Sequence, residues 1–273
     1  MKVTVIFTCF NRKEKTIAAI ESLEKGNREH SLRYIIVDDN STDGTVEAIE
    51  ALNVNAVVMH GNGELYWSGG MRVGIGEFLQ HTEESEYMLL INDDVNFYPN
   101  IIECMINRSI QNKDAIIVGA TCDRNGNFSY GGLCLTNDQR KGLYNPVLPS
   151  EALERCDTFN CNCVLVKTTI ATLLGNFDPM YRHSLADLDY GLSASKKGVM
   201  ILSTDNYVGV CDKNSNKGTW HDKSLSRIQR FKKKESVKGD PIKPWFHFLR
   251  KNFGFTTAIK FSASPYIRII LGK

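Results

Sequence analysis

Apolar and polar positions follow two rhythms along the first half of the chain. Residues 3–8 interleave β-branched and apolar side chains and predict a first strand. Residues 12–25 set Ile17, Ala18, Ile20 and Leu23 at helical spacing, and Gly26-Asn27 ends that helix. Residues 34–37 are a short apolar run of the kind a strand buried on both faces carries. The same alternation continues with a helix over 45–52, a strand over 55–59, a helix over 70–80 after the Gly61-Asn62-Gly63 loop, and a strand over 87–91. A helix over 100–110 and a strand over 115–119 complete it. Strands separated by helices imply an α/β fold with a largely parallel sheet and right-handed crossovers. The second half is less regular. It predicts strands over 128–135, 158–166 and 200–210, and helices over 168–174 and 187–197.

In such sheets, ligands bind beyond the carboxyl ends of the strands. Three of these ends carry polar clusters: Thr8 to Arg12, Asp38 to Gly44, and Asn92 to Asp94. The last follows the apolar run Met88-Leu89-Leu90-Ile91. Two adjacent carboxylates at a buried strand's end repel each other and lose hydration unless a cation or donors sit between them. A hard divalent ion bridging them to a diphosphate resolves that cost. The competing reading of the pair alone is an exposed turn with both acids solvated. The convergence of three polar strand ends favours a ligand site.

Composition narrows the class. The chain has 273 residues, 42% hydrophobic and 23% charged, as expected of a soluble globular protein. It contains no apolar run of the length a spanning helix needs. The apolar part of residues 1–7 is too short for a signal peptide. The eight cysteines are scattered without a metal-binding spacing, which predicts reduced thiols and a cytoplasmic location. Net charge is +2 but uneven: residues 223–273 hold 13 Lys/Arg against Glu235 and Asp240, leaving that segment at +11 and the rest at −9. This divides the chain into a domain over 1–222 and a basic, aromatic-rich, helical extension over 223–273. Residues 245–251, Trp-Phe-His-Phe-Leu-Arg-Lys, have the composition of an interfacial helix. An anionic membrane surface would attract it, giving peripheral association at the inner face of the plasma membrane. The alternative is a helical subdomain packed on the main domain. Nucleic-acid binding has no supporting motif.

The motifs form a recognisable set. Residues 5–12, Val-Ile-Phe-Thr-Cys-Phe-Asn-Arg, and 35–45, Ile-Ile-Val-Asp-Asp-Asn-Ser-Thr-Asp-Gly-Thr, resemble the opening of family 2 glycosyltransferases. Asn92-Asp93-Asp94 resembles that family's D-x-D metal motif, Gly175-Asn176-Phe177-Asp178 its G-x-F-D turn, and Ala186-Asp187-Leu188-Asp189 its E-D-x-D base motif with Ala in place of Glu. The resemblance covers residues 2–222. Residues 65–72 and 183–192 further resemble a bacterial branch tied to surface-polysaccharide assembly.

The resemblance implies a GT-A fold, Rossmann-like with a mostly parallel sheet and helices on both faces. It implies an inverting, metal-dependent transfer of a sugar from a UDP- or dTDP-sugar to a saccharide or lipid-linked acceptor. Thr8, Asn11 and Asp39 would hold the nucleotide, the Asp39 carboxylate accepting from the base's imide N–H; an Asx turn or helix cap is the competing role for Asp39. Gly70, preceding a helix, would let backbone amides approach phosphate, and Arg72 would add charge. Trp67 would wall the sugar pocket. Asp94 would contact Mn²⁺ or Mg²⁺, Asp93 the ribose or the same ion, and His221 (or Asp212) would be a further ligand. Asp187 is the candidate general base that takes the acceptor's proton, while Asp189 braces its segment. His183 is a candidate for donor or acceptor contact, and Asn160 and Asn162 fall on the acceptor side. Rival readings are a sugar-1-phosphate nucleotidyltransferase, disfavoured because residues 8–12 lack glycine, and a non-catalytic sugar-nucleotide-binding protein.

Overall fold

The computed structural model describes residues 1–27, 29–136 and 143–272. Residues 137–142, part of the stretch 136–162 expected from the sequence to shape the pocket, lie outside the described set, as do Arg28 and Lys273. The first half runs β1 (Lys2–Cys9), α1 (Lys13–Gly26), β2 (Ser31–Asp38), α2 (Thr45–Ala51), β3 (Ala56–His60), α3 (Tyr66–Gln80) and β4 (Tyr87–Ile91). It continues with β5 (Asn96–Phe97), α4 (Ile101–Gln111) and β6 (Ile116–Cys122). Short strands follow: β7 (Phe128–Tyr130), β8 (Gly132–Leu135), β9 (Tyr144–Pro146), β10 (Glu154–Arg155) and β11 (Thr158–Phe159). Then come β12 (Cys163–Lys167), α5 (Thr168–Leu174), α6 (Ala186–Lys196), β13 (Ile201–Val210), α7 (Arg227–Lys234), α8 (Ile242–Phe253) and α9 (Phe255–Ile270).

The main sheet has the order β10-β13-β6-β12-β4-β1-β2-β3, with β5 on β13 and β7 on β6. β1 pairs parallel with both β2 and β4, while β12 runs antiparallel between β4 and β6. The core follows from strand alternation, since successive side chains point to opposite faces. Val5, Phe7, Leu89 and Ile91 pack on one face with Ile20 and Leu23 of α1 and Met105 and Ile106 of α4. Ile6, Met88 and Leu90 pack on the other with Met71, Ile75 and Phe78 of α3. β4 is buried along its whole length, so its polar successors Asn92 to Asp94 emerge at a fixed point on the sheet's edge.

Two expectations change. The stretches 128–135 and 158–166 each divide between sheets: β7 pairs with β6 and β12 with β4 in the main sheet, while β8, β9 and β11 form a second, three-stranded sheet. A period-two pattern does not specify which sheet a strand joins. Helix α3 starts at Tyr66, so Gly70 lies inside it, not before it. The glycines serve packing: a Cβ at Gly70 would strike the Thr8 side chain, and one at Gly74 would lie 2.6 Å from Ile6 Cγ2.

The C-terminal helices pack on this body. Phe248 and Leu249 of α8 and Ala258 of α9 are fully buried in the same cluster as α3. Asp178 accepts from His247 Nε2 at 3.0 Å and from Lys251 Nζ at 3.1 Å. Asp189 accepts from the same Lys251 Nζ at 2.7 Å and from Asn252 Nδ2 at 2.8 Å. The apolar side of residues 245–251, expected at a membrane interface, is therefore turned inward.

Candidate active site

Two adjoining cavities open where β1, β2 and β4 end. One, of about 630 Å³, is lined by Thr8, Arg12, Asp39, Tyr66, Trp67 and Asp93, and is closed by Lys233, Ser236 and Lys238 from the segment after β13. The other, of about 600 Å³, is lined by Asp93, Asp94, Asn160, Asn162 and Asp187, with Trp245 of α8 and Phe261 and Arg268 of α9 as its far wall. Arg12, Trp67, Asp93 and His183 border both. The Trp67 ring stands between them, held by its Nε1–H on Asn92 Oδ1 at 2.8 Å and tilted against Phe177.

At the first cavity, Asp39 is buried, and its two oxygens accept from Gly63 N at 2.8 Å and Tyr66 N at 3.1 Å. The carboxylate thus caps the start of α3, the role set against nucleotide contact at the sequence level. A carboxylate has about four acceptor positions, so acceptor capacity remains for a ligand. Thr8 Oγ1 donates to Val37 O at 2.8 Å. Asp38 and Asp43 are occupied within their loops, by Ser41 N and by Lys13 N with Thr45 N.

Asn11 and Arg72 border neither cavity. Asn11 adopts a positive φ of 49° and spends its side-chain oxygen on Thr42 N at 2.8 Å, tying the loop after β1 to the loop after β2. Arg72 lies on α3 one turn beyond the cavity edge, where its carbonyl accepts from Asn176. Gly70, inside α3, has its amide within the helix and leaves none for phosphate.

The acidic pair meets a cation that belongs to the chain. Arg12 Nη1 donates to Asp93 Oδ1 at 2.9 Å and to Asp94 Oδ2 at 3.1 Å, and Lys15 Nζ lies 3.6 Å from Asp94. Burial pushes the Asp93 carboxyl up to about 6, against the pull of Arg12. One nitrogen reaches both carboxylates, so the two converge on a single cation. Two carboxylates plus diphosphate oxygens are a set that Mg²⁺ or Mn²⁺ accepts. The acidic pair therefore fits such an ion, provided that Arg12 turns aside. His221 borders the second cavity but is not gathered with the pair: among the described residues one group of three metal-ligating side chains has its donor atoms within 4.8 Å of one another, His81, Glu83 and Glu84, away from both cavities. The His221 ring instead lies against Trp220. Asp212 borders the second cavity too and is ion-paired with Arg124 Nε at 3.0 Å.

Asp187 opens onto the second cavity from the first turn of α6. Its oxygens accept from Leu188 N at 2.9 Å and Cys161 N at 3.4 Å. Burial pushes its carboxyl up to about 6, while these amides and Asn160 pull the other way. Asp189, two residues on, points to α8 and is spent there. His183, beside Tyr66, has a buried Nδ1 without a partner. Burial, with Lys238 as the next cause, lowers its proton affinity, so it stands neutral and able to accept or donate.

Arg12, Lys233 and Lys238 went unassigned in the sequence reading. Arg12 sits in a motif already singled out, and the need of Asp93-Asp94 for a cation was the signal that pointed to it. The two lysines belong to a basic run that gives no sign which members face inward.

Residues 4–163 match the family model described as Glycosyl transferase family 2. No curated protein sequence matches significantly. Among solved structures, the chain is similar to TarS of S. aureus at 15% identity and a TM-score of 0.60, covering 93% of this chain and 44% of that one. The 1–349 portion of TarS in complex with UDP-GlcNAc gives a TM-score of 0.61 at 15% identity, over 98% of this chain and 79% of that one. The mannosyltransferase PcManGT from Pyrobaculum calidifontis, in complex with GDP-Man and Mn²⁺, gives 0.59 at 15% identity, over 99% and 73%. At these identities the likeness establishes the GT-A fold; the chain spans less than half the length of that TarS chain.

Proposed function

The chain belongs to glycosyl transferase family 2, and from that premise we propose that it is an inverting transferase moving a sugar from a UDP- or dTDP-sugar to an acceptor hydroxyl in cell-surface polysaccharide synthesis. The observation that carries this reading is the pair of joined cavities, with Asp39 in one, Asp187 in the other and Asp93-Asp94 at their border. The nucleotide occupies the first cavity, its base against Thr8 and Asp39. Its diphosphate lies toward Arg12, Lys233 and Lys238, whose charges offset the negative charge that grows on the leaving group. Asp93 and Asp94 would hold Mn²⁺ or Mg²⁺, which supplies Lewis-acid stabilisation to the same leaving group when bound. The sugar passes the Trp67 ring into the second cavity. There the acceptor hydroxyl approaches the anomeric carbon from the side of Asp187, which takes its proton as the bond forms. Attack opposite the departing diphosphate inverts the anomeric configuration. Asn160, Asn162 and neutral His183 are available to sugar hydroxyls.

A thermal-shift screen of nucleotide-sugars, with and without Mn²⁺, tests this directly. A cognate donor at 100 times its Kd stabilises the fold by about 2.7 kcal/mol. A screen in which no nucleotide-sugar raises the melting temperature under either condition contradicts the proposal.

A further inference from the structure

Helix α9 has two apolar sides, and among the described residues only one of them is packed into the fold. Its inner side buries Ala258, Ser262 and Ile269 and lends Phe261, Ser264 and Pro265 to the wall of the Asp187 cavity. Its outer side carries Phe255, Ile259, Ile267, Ile270 and Leu271 just beyond its end, all between 53% and 61% exposed. With the exposed Ala263 between them, these residues recur at intervals of three or four and form one stripe along the helix. Single exposed apolar residues are ordinary; an aligned row of five large ones marks a contact surface.

The charges around the stripe indicate what it meets. Residues 242–270, which span α8 and α9, contain Lys243, Arg250, Lys251, Lys260 and Arg268 and no acidic residue. Lys243, Arg250, Lys260 and Arg268 are exposed. Of the two acids of the C-terminal segment, Glu235 accepts from the hydroxyl of Tyr266 on α9, and Asp240 accepts from the Ser184 hydroxyl. An apolar stripe on a pair of helices that carries exposed Lys243, Arg250 and Lys260 and no acidic residue of its own matches an anionic lipid surface, where acyl chains take the stripe and headgroups take the cations. Among the described residues no helix is long and apolar enough to cross a membrane, so α9 would lie along the surface.

We propose that the outer face of α9 docks on an anionic membrane, and that the Asp187 cavity receives an acceptor carried on lipid in that membrane. The second half of this rests on the reading of that cavity as the place of transfer. Its geometric basis is that one helix supplies both the docking face and part of the cavity wall. Docking by the outer side therefore sets the cavity at the headgroup layer, where the sugar of a lipid-linked acceptor projects. The apolar wall formed by Trp245, Phe261 and Pro265 suits the lipid-proximal end of such an acceptor.

The test is co-sedimentation of the full chain with vesicles of phosphatidylcholine alone or with about one-third phosphatidylglycerol, at low and high salt. The wild type is expected to partition onto the anionic vesicles at low salt, at least about tenfold more strongly than onto phosphatidylcholine alone, with binding weakened by salt. The double variant Ile259→Glu/Ile267→Glu, with its melting temperature checked against wild type, is expected to lose at least about tenfold in partitioning, since it places charge within the apolar stripe. Absence of wild-type binding to anionic vesicles at low salt, or undiminished binding by the folded variant, overturns the proposal. So does light scattering that finds a wild-type dimer and a monomeric variant, which would assign the stripe to a second copy of the chain. Partitioning is read without donor or acceptor. A protein that transfers sugar yet ignores vesicles sinks the docking proposal alone, and one that binds vesicles yet transfers nothing sinks the reading of the cavity alone.

Discussion

Residues in this site act through what their surroundings make of them. The base role proposed for Asp187 requires an ionised carboxylate, and burial holds its carboxyl up at about 6. Ionised Asp187 is depleted as pH falls through that value, so kcat/KM should decline below about pH 6 and flatten above it. A profile with no acidic limb between pH 5 and 7, limits taken as roughly one unit either side of that value, speaks against Asp187 as the base. Gly70 gives the opposite kind of expectation. A methyl group there meets Thr8, so Gly70→Ala should destabilise the fold by about 1–3 kcal/mol through overpacking. Denaturant unfolding of the variant measures this, and an unchanged midpoint with lost donor binding would restore the phosphate role that the helix boundary removed. Asp94→Asn takes away half of the carboxylate pair facing Arg12. It should reduce the extra thermal stabilisation that Mn²⁺ adds to a bound donor; an undiminished Mn²⁺ effect would place the ion elsewhere. The Asp93-Asp94 pair was legible in the sequence because adjacent carboxylates at the end of a buried strand call for a cation or donors, and three polar strand ends converge there. Asp187 was legible only through its match to a family motif. Arg72 was not, because an isolated arginine carries no sign of the direction in which it points.

At the scale of elements, strands were read well where burial is two-sided and poorly where it is shared. The run over 87–91 is β4 to the residue, since five buried apolar positions between polar ends permit little else. Residues 128–135 and 158–166 looked continuous, yet each is divided between two sheets by pairings remote in sequence. The start of α3 was missed because Gly69-Gly70 disfavours a helix locally, while close packing on Thr8 of β1 demands glycine at position 70. Helix α8 shows the same limit. Its basic and aromatic composition suited a membrane, but Asp178 and Asp189 of the two sequence motifs hold it to the domain through Lys251. Burial works to raise Asp178, yet Met180 N, His247 and Lys251 together hold it down at about 2. A carboxyl depressed from its usual range stabilises the fold above that range, and the contribution is lost as pH falls through about 2. Replacing Lys251 by Met leaves buried Asp189 with one partner fewer; its cost should be about 1–2 kcal/mol, kept low by the partial exposure of Lys251. Equilibrium unfolding at pH 7 checks it, and an unchanged stability would show that apolar contacts of Phe248 and Leu249 alone seat α8.

Over the whole molecule, the charge division seen in the sequence takes on a structural meaning. The +11 segment after residue 222 does not stand apart: Lys233 and Lys238 close the first cavity, Lys251 clamps α8, and Lys243, Arg250 and Lys260 are exposed on α8 and α9. One basic stretch thus contributes to a cavity wall, to the fold and to the surface, which composition alone could not separate. The acidic body and basic extension meet at a pair of cavities that neither part lines alone. On the proposed mechanism, the feature that joins these parts is the placement of Asp187 in the same cavity as Asp93 and Asp94. The decisive measurement is sugar transfer from a cognate donor by wild type and by Asp187→Asn, with donor binding by both proteins checked calorimetrically. Transfer by the variant should fall by about 10²–10⁴-fold while donor affinity holds, because a general base contributes that much to rate and little to ground-state binding. Full transfer activity in a variant that binds donor normally would contradict the account.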